Sequence, residues 1–195
     1  MRRNAGGVLM ALGLLLVAVA LGLLLWNLWE ARQAQASVEE LLPQVLEEIQ
    51  KGEPVDQGDD PAVPDPVKEI GGQRVLGCLS VPRLGLTLPV LAQWNDSLLR
   101  MAPCRYAGGL NTGDLVIAGH NYRRHFASLS KLVPEDQVEF TDLDGVSHWY
   151  QVEAIDVLEA TAVEEMVAGD YPLTLFTCTY GGKNRLTVRC GWLES

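Results

Sequence analysis

The sequence predicts an all-β fold: a closed or nearly closed barrel of seven or eight short strands with short helices, preceded by one membrane-spanning helix. Three observations carry this. From Gly6 to Trp29 no residue is charged, and nearly all are apolar or glycine. From Glu69 onward, short runs with β-branched residues alternate with Gly, Pro, Asn and Asp. Seven such runs fit into about 125 residues, the spacing of an all-β barrel, and only Arg124–Leu132 reads as a helix among them.

In chain order, residues 1–5 form a short tail carrying Arg2 and Arg3. Residues 6–29 are long enough as a helix to cross the hydrocarbon core, with Trp26 and Trp29 as interfacial anchors. The run is long for the core of a cleaved signal peptide, so an uncleaved anchor is the better reading. Positive charge on the short side keeps the N-terminus cytoplasmic and places the rest outside. Within residues 30–68, SVEELLPQVLEEIQK (37–51) sets Val38, Leu41, Leu42, Val45, Leu46 and Ile49 at helical spacing. Ser37 and Glu40 have capping-box spacing, and Pro43 predicts a kink. This helix either packs on the domain or serves as a spacer. Residues 52–68 are rich in Pro and acid and read as a linker. The folded unit is residues 69–195. Its expected strands are Arg74–Val81, Thr87–Leu91, Asp114–His120, Gln137–Asp142, Ser147–Glu159, Leu173–Cys178 and Arg185–Trp192, with a hairpin turn at Asp144-Gly145.

The net charge of −10 argues against a nucleic-acid partner. The four cysteines, Cys78, Cys104, Cys178 and Cys190, include no CxxC pair, which argues against zinc-ribbon and thioredoxin chemistry. An exterior domain permits disulfides, and Cys78 with Cys104 is one pairing, but buried free thiols are preferred.

The stretch LTLFTCTYGGKNRLTVRC (173–190) places a thiol at the end of one strand and a guanidinium at the start of the next. Cys178 sits among Thr177, Thr179 and Tyr180, polar company for an inert core thiol. A thiol nucleophile needs a base. Of three histidines, His148 reads as an exposed strand residue and His125 as a solvated or capping residue at a helix start. His120 ends the apolar run DLVIAGH and can face a cleft at a strand mouth. Arg185 and Arg189 share a strand face with Thr187, so either could approach the thiol. Arg185 is the nearer if the connection through TYGGKN is a simple hairpin.

Taken together these elements resemble the sortase family. LTLFTC matches the TLxTC motif at Thr174, Leu175, Thr177 and Cys178. VIAGHN (116–121) resembles the segment carrying the family's histidine, and Arg185 matches its arginine. GCLSVPRLGLTLPV (77–90) and APCRYAGGLNTGD (102–114) resemble the opening strands and the lead into the histidine strand, so the likeness covers about residues 74–192. It implies a cysteine transpeptidase needing no metal and no organic cofactor. Cys178 would attack a sorting-signal threonine carbonyl, His120 would move the proton, and Arg185 would hold the oxyanion. Thr177 and Asn121 would help bind substrate. The partners implied are surface proteins bearing sorting signals and an amine acceptor, either a cell-wall precursor or a pilin lysine.

Asp65-Pro66 is followed by Val67 rather than an aromatic residue, and no second apolar run precedes Ser195, which weakens a pilus-building subclass. A class D-like enzyme is preferred, and helix 37–51 keeps class B open. Two other functions compete: a cysteine hydrolase using the same trio, and a non-catalytic surface-binding barrel.

Overall fold

A computed structural model describes residues 5–52, 64–122, 125–168, 170–179 and 181–193. Most of the expected tail, residues 53–63 of the expected linker, the Arg124 start of the expected helix, and Tyr180 lie outside the described residues.

One helix, α1 (Ala5–Lys51), unites the anchor and the juxtamembrane segment and runs through Pro43 as one 47-residue element. The expected division into two helices does not hold. The Gln44 side-chain amide donates to the Glu40 carbonyl at 3.0 Å, one turn from the proline. Its first part is apolar on all sides and exposed, as a candidate membrane span would be. Its second part is amphipathic. Val38, Leu41 and Val45 are buried in the main core, and Leu42 and Ile49 pack against it. The juxtamembrane helix is therefore part of the folded domain rather than a spacer.

Nine strands follow: β1 (Lys68–Ile70), β2 (Gln73–Val81), β3 (Leu86–Leu91), β4 (Cys104–Ala107), β5 (Leu115–Ala118), β6 (Gln137–Asp142), β7 (Ser147–Glu159), β8 (Leu173–Cys178) and β9 (Asn184–Trp192). Their order in the sheet is β1-β2-β3-β4-β5-β8-β9-β7-β6, and β6 pairs back to β2. That pairing closes an eight-stranded barrel with β1 as an added edge. Closure leaves no terminal strand among β2–β9. The β3–β4 and β5–β8 pairs are parallel and the others antiparallel.

All seven expected strands are present, three with the expected bounds. Strands β1 and β4 were not expected. Each has four residues or fewer, too short to show an alternating pattern. Two short helices were also missed, α2 (Asp96–Met101) and α3 (Val163–Met166). Asn95 caps α2 by accepting from the Leu98 N–H at 2.8 Å. The helix expected at Arg124–Leu132 is instead a turn followed by a single 3-10 turn at Leu129–Lys131. Its apolar residues Phe126, Leu129 and Leu132 are spaced by three and are buried in the core.

The barrel presents two apolar faces. Leu173 and Leu175 of β8 point into the main core with Leu115 and Ile117 of β5. Val116, Ala118 and Phe176 point outward, where Met166 of α3 covers them with Leu99, Tyr106, Ala107 and Leu158. The candidate chemistry lies on this outer face.

Candidate active site

The alternation of β-strands decides which side chains can meet. On β8, Thr174, Phe176 and Cys178 share the outer face. On β5, Val116 and Ala118 share it. These two strands are parallel and in register, with Ala118 opposite Phe176. The Gly119 N–H donates to the Phe176 carbonyl at 3.0 Å, so pairing continues beyond the strand end. Carried two positions past the end of β5, the same register would set His120 level with Cys178, at the spacing of about 4.8 Å between paired strands. Gly119 permits this approach, because any Cβ there would run into the Phe126 ring. Phe126 in turn donates its N–H to the His120 carbonyl at 3.1 Å, tying down the histidine backbone.

The third element comes from the other side of β8. Strands β8 and β9 form a hairpin with Cys178 opposite Arg185. Thr179 donates its N–H to the Asn184 carbonyl at 2.9 Å, which makes Cys178–Arg185 the adjacent non-hydrogen-bonded pair. In such a pair the Cα atoms approach to about 4.5 Å. Gly181 and Gly182 both have positive φ, 86° and 72°, so glycines suit the reversal there. Arg185 is half-buried, and its Nη1 donates to the Gly182 and Asn184 carbonyls at 3.1 and 3.2 Å. These bonds hold the guanidinium against the hairpin turn that follows Cys178. Cys178 and Arg185 thus lie opposite each other on β8 and β9, and His120 follows two residues after the end of β5, the other neighbour of β8.

Arg189 does different work. It is 5% exposed, and its Nη1 donates to the Met166 carbonyl at 3.0 Å and to the Thr174 hydroxyl at 3.1 Å. Its Nη2 donates to the Glu165 carbonyl, and its guanidinium lies 5.6 Å from the Tyr171 ring centroid. It fastens the α3 loop to the barrel, two positions along the face from any contact with Cys178.

The cysteines separate by burial. All four are free. Burial pushes the Cys78, Cys104 and Cys190 thiols up to about 12, so they are inert thiols at neutral pH. Cys178 alone is partly exposed. Iodoacetamide at neutral pH should therefore label the folded protein once, at Cys178, with peptide mapping as the readout. Labelling of Cys190 at a similar rate would contradict this burial pattern.

His120 is partly buried, and its pKa lies below the ordinary 6.5. Burial is the main cause, Arg100 acts in the same direction, and Glu30 and Asp96 oppose them. Its ring stacks on Tyr122 with centroids 4.7 Å apart. The other two histidines depart from expectation. His125 is fully buried rather than solvated, and burial followed by repulsion from His120 pushes its pKa down to about 4. It is a neutral core residue, because Phe126 beside it must reach the core. His148 is partly buried, with Nε2 3.4 Å from the Asp142 carboxylate.

Thr177 is 2% exposed and faces the core side, and its hydroxyl finds no partner among the described residues. It adjoins the site through its backbone. Asn121 is exposed directly after His120. Several neighbours were not anticipated. Trp94, Tyr106 and Phe176 form an edge-to-face ladder, with centroids 5.4 and 5.1 Å apart, leading along the outer face toward Cys178. Phe176 was findable from strand alternation with Cys178, but Trp94 and Tyr106 come from segments whose folding shows only in three dimensions. Asp65 docks at the far end of β5. It accepts from Arg105 Nη1 at 2.9 Å and from the Leu110 and Asn111 N–H groups at 3.0 and 3.1 Å. Among the described residues no cluster of His, Cys, Asp and Glu could hold a metal.

A family model described as "Sortase domain" matches residues 79–192. Among solved structures, sortase C1 from Streptococcus suis is 25% identical, with a TM-score of 0.53 over 62% of this chain and 74% of that one. Sortase C1 from Streptococcus agalactiae is 26% identical, with a TM-score of 0.52 over 61% and 67%. A sortase D5 transpeptidase from Clostridium perfringens shares the fold at 19% identity, with a TM-score of 0.58 over 84% of this chain and 99% of that one. No curated protein matches the chain.

Proposed function

This chain belongs to the sortase family, and from that premise we propose that it is a membrane-anchored cysteine transpeptidase acting through Cys178, His120 and Arg185. The observation that carries the proposal is the pairing of β8 with β9, which sets Cys178 opposite Arg185, and with β5, whose chain runs on to His120 two residues past its end. Cys178 Sγ attacks the carbonyl carbon of a sorting-signal threonine while His120 takes the thiol proton. Arg185, aided by nearby backbone, stabilises the oxyanion. Collapse breaks the amide bond, His120 returns its proton to the leaving amine, and a thioester remains on Cys178. An incoming amine attacks the thioester and His120 accepts its proton. A new amide forms and the thiol is regenerated. The acceptor is an amine of a cell-wall precursor or of a pilin lysine. Trp94, Tyr106 and Phe176 offer an apolar wall for the sorting peptide. Arg2 and Arg3 favour a cytoplasmic N-terminus with the barrel outside, as on a Gram-positive surface.

The test is the full chain in detergent micelles, incubated with a panel of threonine-bearing sorting peptides with and without an amine. Amine-dependent formation of the joined product supports transpeptidation. Equal peptide consumption without amine, with acid as the product, would make the protein a thiol hydrolase. No turnover with any peptide, together with an unreactive Cys178, would leave a binding barrel.

The depressed pKa of His120 sets the expected pH profile. A histidine below its ordinary 6.5 is neutral at pH 7 and can accept the thiol proton. As pH falls through its pKa, the imidazole charges and that capacity is lost. The acid limb of kcat/KM should therefore have its midpoint below pH 6.5, measured over about pH 4.5–8. A midpoint above 6.5 would be inconsistent with His120 in this role.

A further inference from the structure

The His120 ring does not stand alone. It stacks on Tyr122 at 4.7 Å, and Tyr122 hydrogen-bonds the carboxylate of Glu30. Glu30 belongs to α1, one residue after the interfacial Trp29. The same carboxylate lies 3.5 Å from Arg100 Nε of α2, an ion pair in which Glu30 is the more buried partner. Glu30 and Arg100 line one cleft of about 320 Å³ between α1 and α2, together with Trp26, Trp29 and Ser97. The anchor helix thus reaches the candidate base through a single aromatic ring.

We propose that Glu30 is a positioning residue for His120: its carboxylate holds Tyr122 and Arg100 in place, so that the anchor helix completes the candidate catalytic centre. The proposal rests on the assignment of His120 as the proton carrier. Three physical effects support it. The hydrogen bond to Glu30 fixes the Tyr122 ring and so restricts the imidazole stacked on it. The carboxylate neutralises Arg100, a cation that would otherwise repel the imidazolium formed during the reaction. It also stabilises that imidazolium directly. The charged and titratable groups facing His120 are Glu30 from α1, Asp96 and Arg100 from α2, and Tyr122 and His125 from its own loop. Glu30 and Arg100 act on His120 with opposite sign. A consequence is that a soluble fragment beginning after Glu30 lacks part of the site.

The experiment uses the full chain in detergent micelles and follows the His120 ring protons by NMR titration, alongside peptide turnover. Glu30→Gln should lower the His120 midpoint and reduce kcat about ten-fold, with KM little changed. Arg100→Gln should raise the midpoint. Tyr122→Phe, which keeps the stacking ring but loses the hydroxyl, should fall between wild type and Glu30→Gln in kcat. Glu30→Asp should recover part of the loss. A loosened fold would not give opposite shifts for the two charge variants. A His120 midpoint unchanged in both Glu30→Gln and Arg100→Gln would overturn the proposal. If turnover instead survives His120→Ala, the catalytic assignment fails, and the titrations still report whether Glu30 and His120 are coupled. Glu47→Gln, on an exposed turn of α1 away from the barrel mouth, serves as the control and should change neither reading.

Discussion

Cys178→Ala is expected to abolish peptide cleavage and transfer, a loss of about 10⁴-fold or more in kcat, with the fold intact. The reasoning is specific to this position. Cys178 is the last residue of β8, partly exposed and outside both buried apolar clusters, so losing its sulfur leaves no cavity. The other three cysteines are buried and their thiols raised to about 12, so none can replace it. Mass spectrometry of the wild-type protein with a cleavable sorting peptide should show a thioester adduct on the tryptic fragment containing Cys178. The alanine variant should show none and should melt within a few degrees of wild type. Turnover persisting in this variant would place the nucleophile elsewhere and remove the basis of the proposed mechanism.

The second large effect divides the two arginines of β9. Arg185→Ala should cost about 10²–10³ in kcat/KM, as loss of an oxyanion donor does, with little change in stability. Among the described residues its head group bonds the Gly182 and Asn184 carbonyls of the hairpin, which water can satisfy. Arg189→Ala should do the reverse. It strands the buried Met166 carbonyl and Thr174 hydroxyl and frees the Glu165 carbonyl, a loss of about 2–4 kcal/mol that a thermal melt detects. Activity of the fraction still folded should suffer far less than in Arg185→Ala. The opposite pattern would mean that the cation at the thiol is Arg189, which the β8–β9 register excludes.

The sequence is most legible where the signal is local and repeated. Gln137–Asp142, Ser147–Glu159 and Leu173–Cys178 form strands with the bounds their alternating or β-branched texture predicts. The helical spacing of Val38, Leu41 and Val45 reports a real buried face. Legibility fails where an element is short. Four residues at Cys104–Ala107 join the barrel only because β3 and β5 flank them. Where a helix is expected at Arg124–Leu132, the chain instead uses a turn and one 3-10 turn to send its apolar residues into the core. His125 follows the same logic. Its neighbours in sequence are charged or polar on one side, yet the inward course of this turn buries it completely.

By itself the sequence determined the chemical types and their local settings: a thiol and a guanidinium on consecutive strands, a histidine ending an apolar run, and an apolar helix in front. Composition and period are enough for that, because they reflect each residue's immediate backbone. Tertiary structure alone decided which of these meet. The β5–β8 pairing is parallel and joins segments more than fifty residues apart, so no local pattern encodes that the strand leading to His120 lies beside the strand ending in Cys178. The choice of Arg185 over Arg189 depended on a hairpin rather than a crossover, which glycines in left-handed backbone accommodate. The approach of Glu30 to the His120 loop depended on α1 continuing unbroken from the candidate membrane span onto the barrel. Each is a relation between distant segments, and the energy of packing, not the preference of any one residue, selects it.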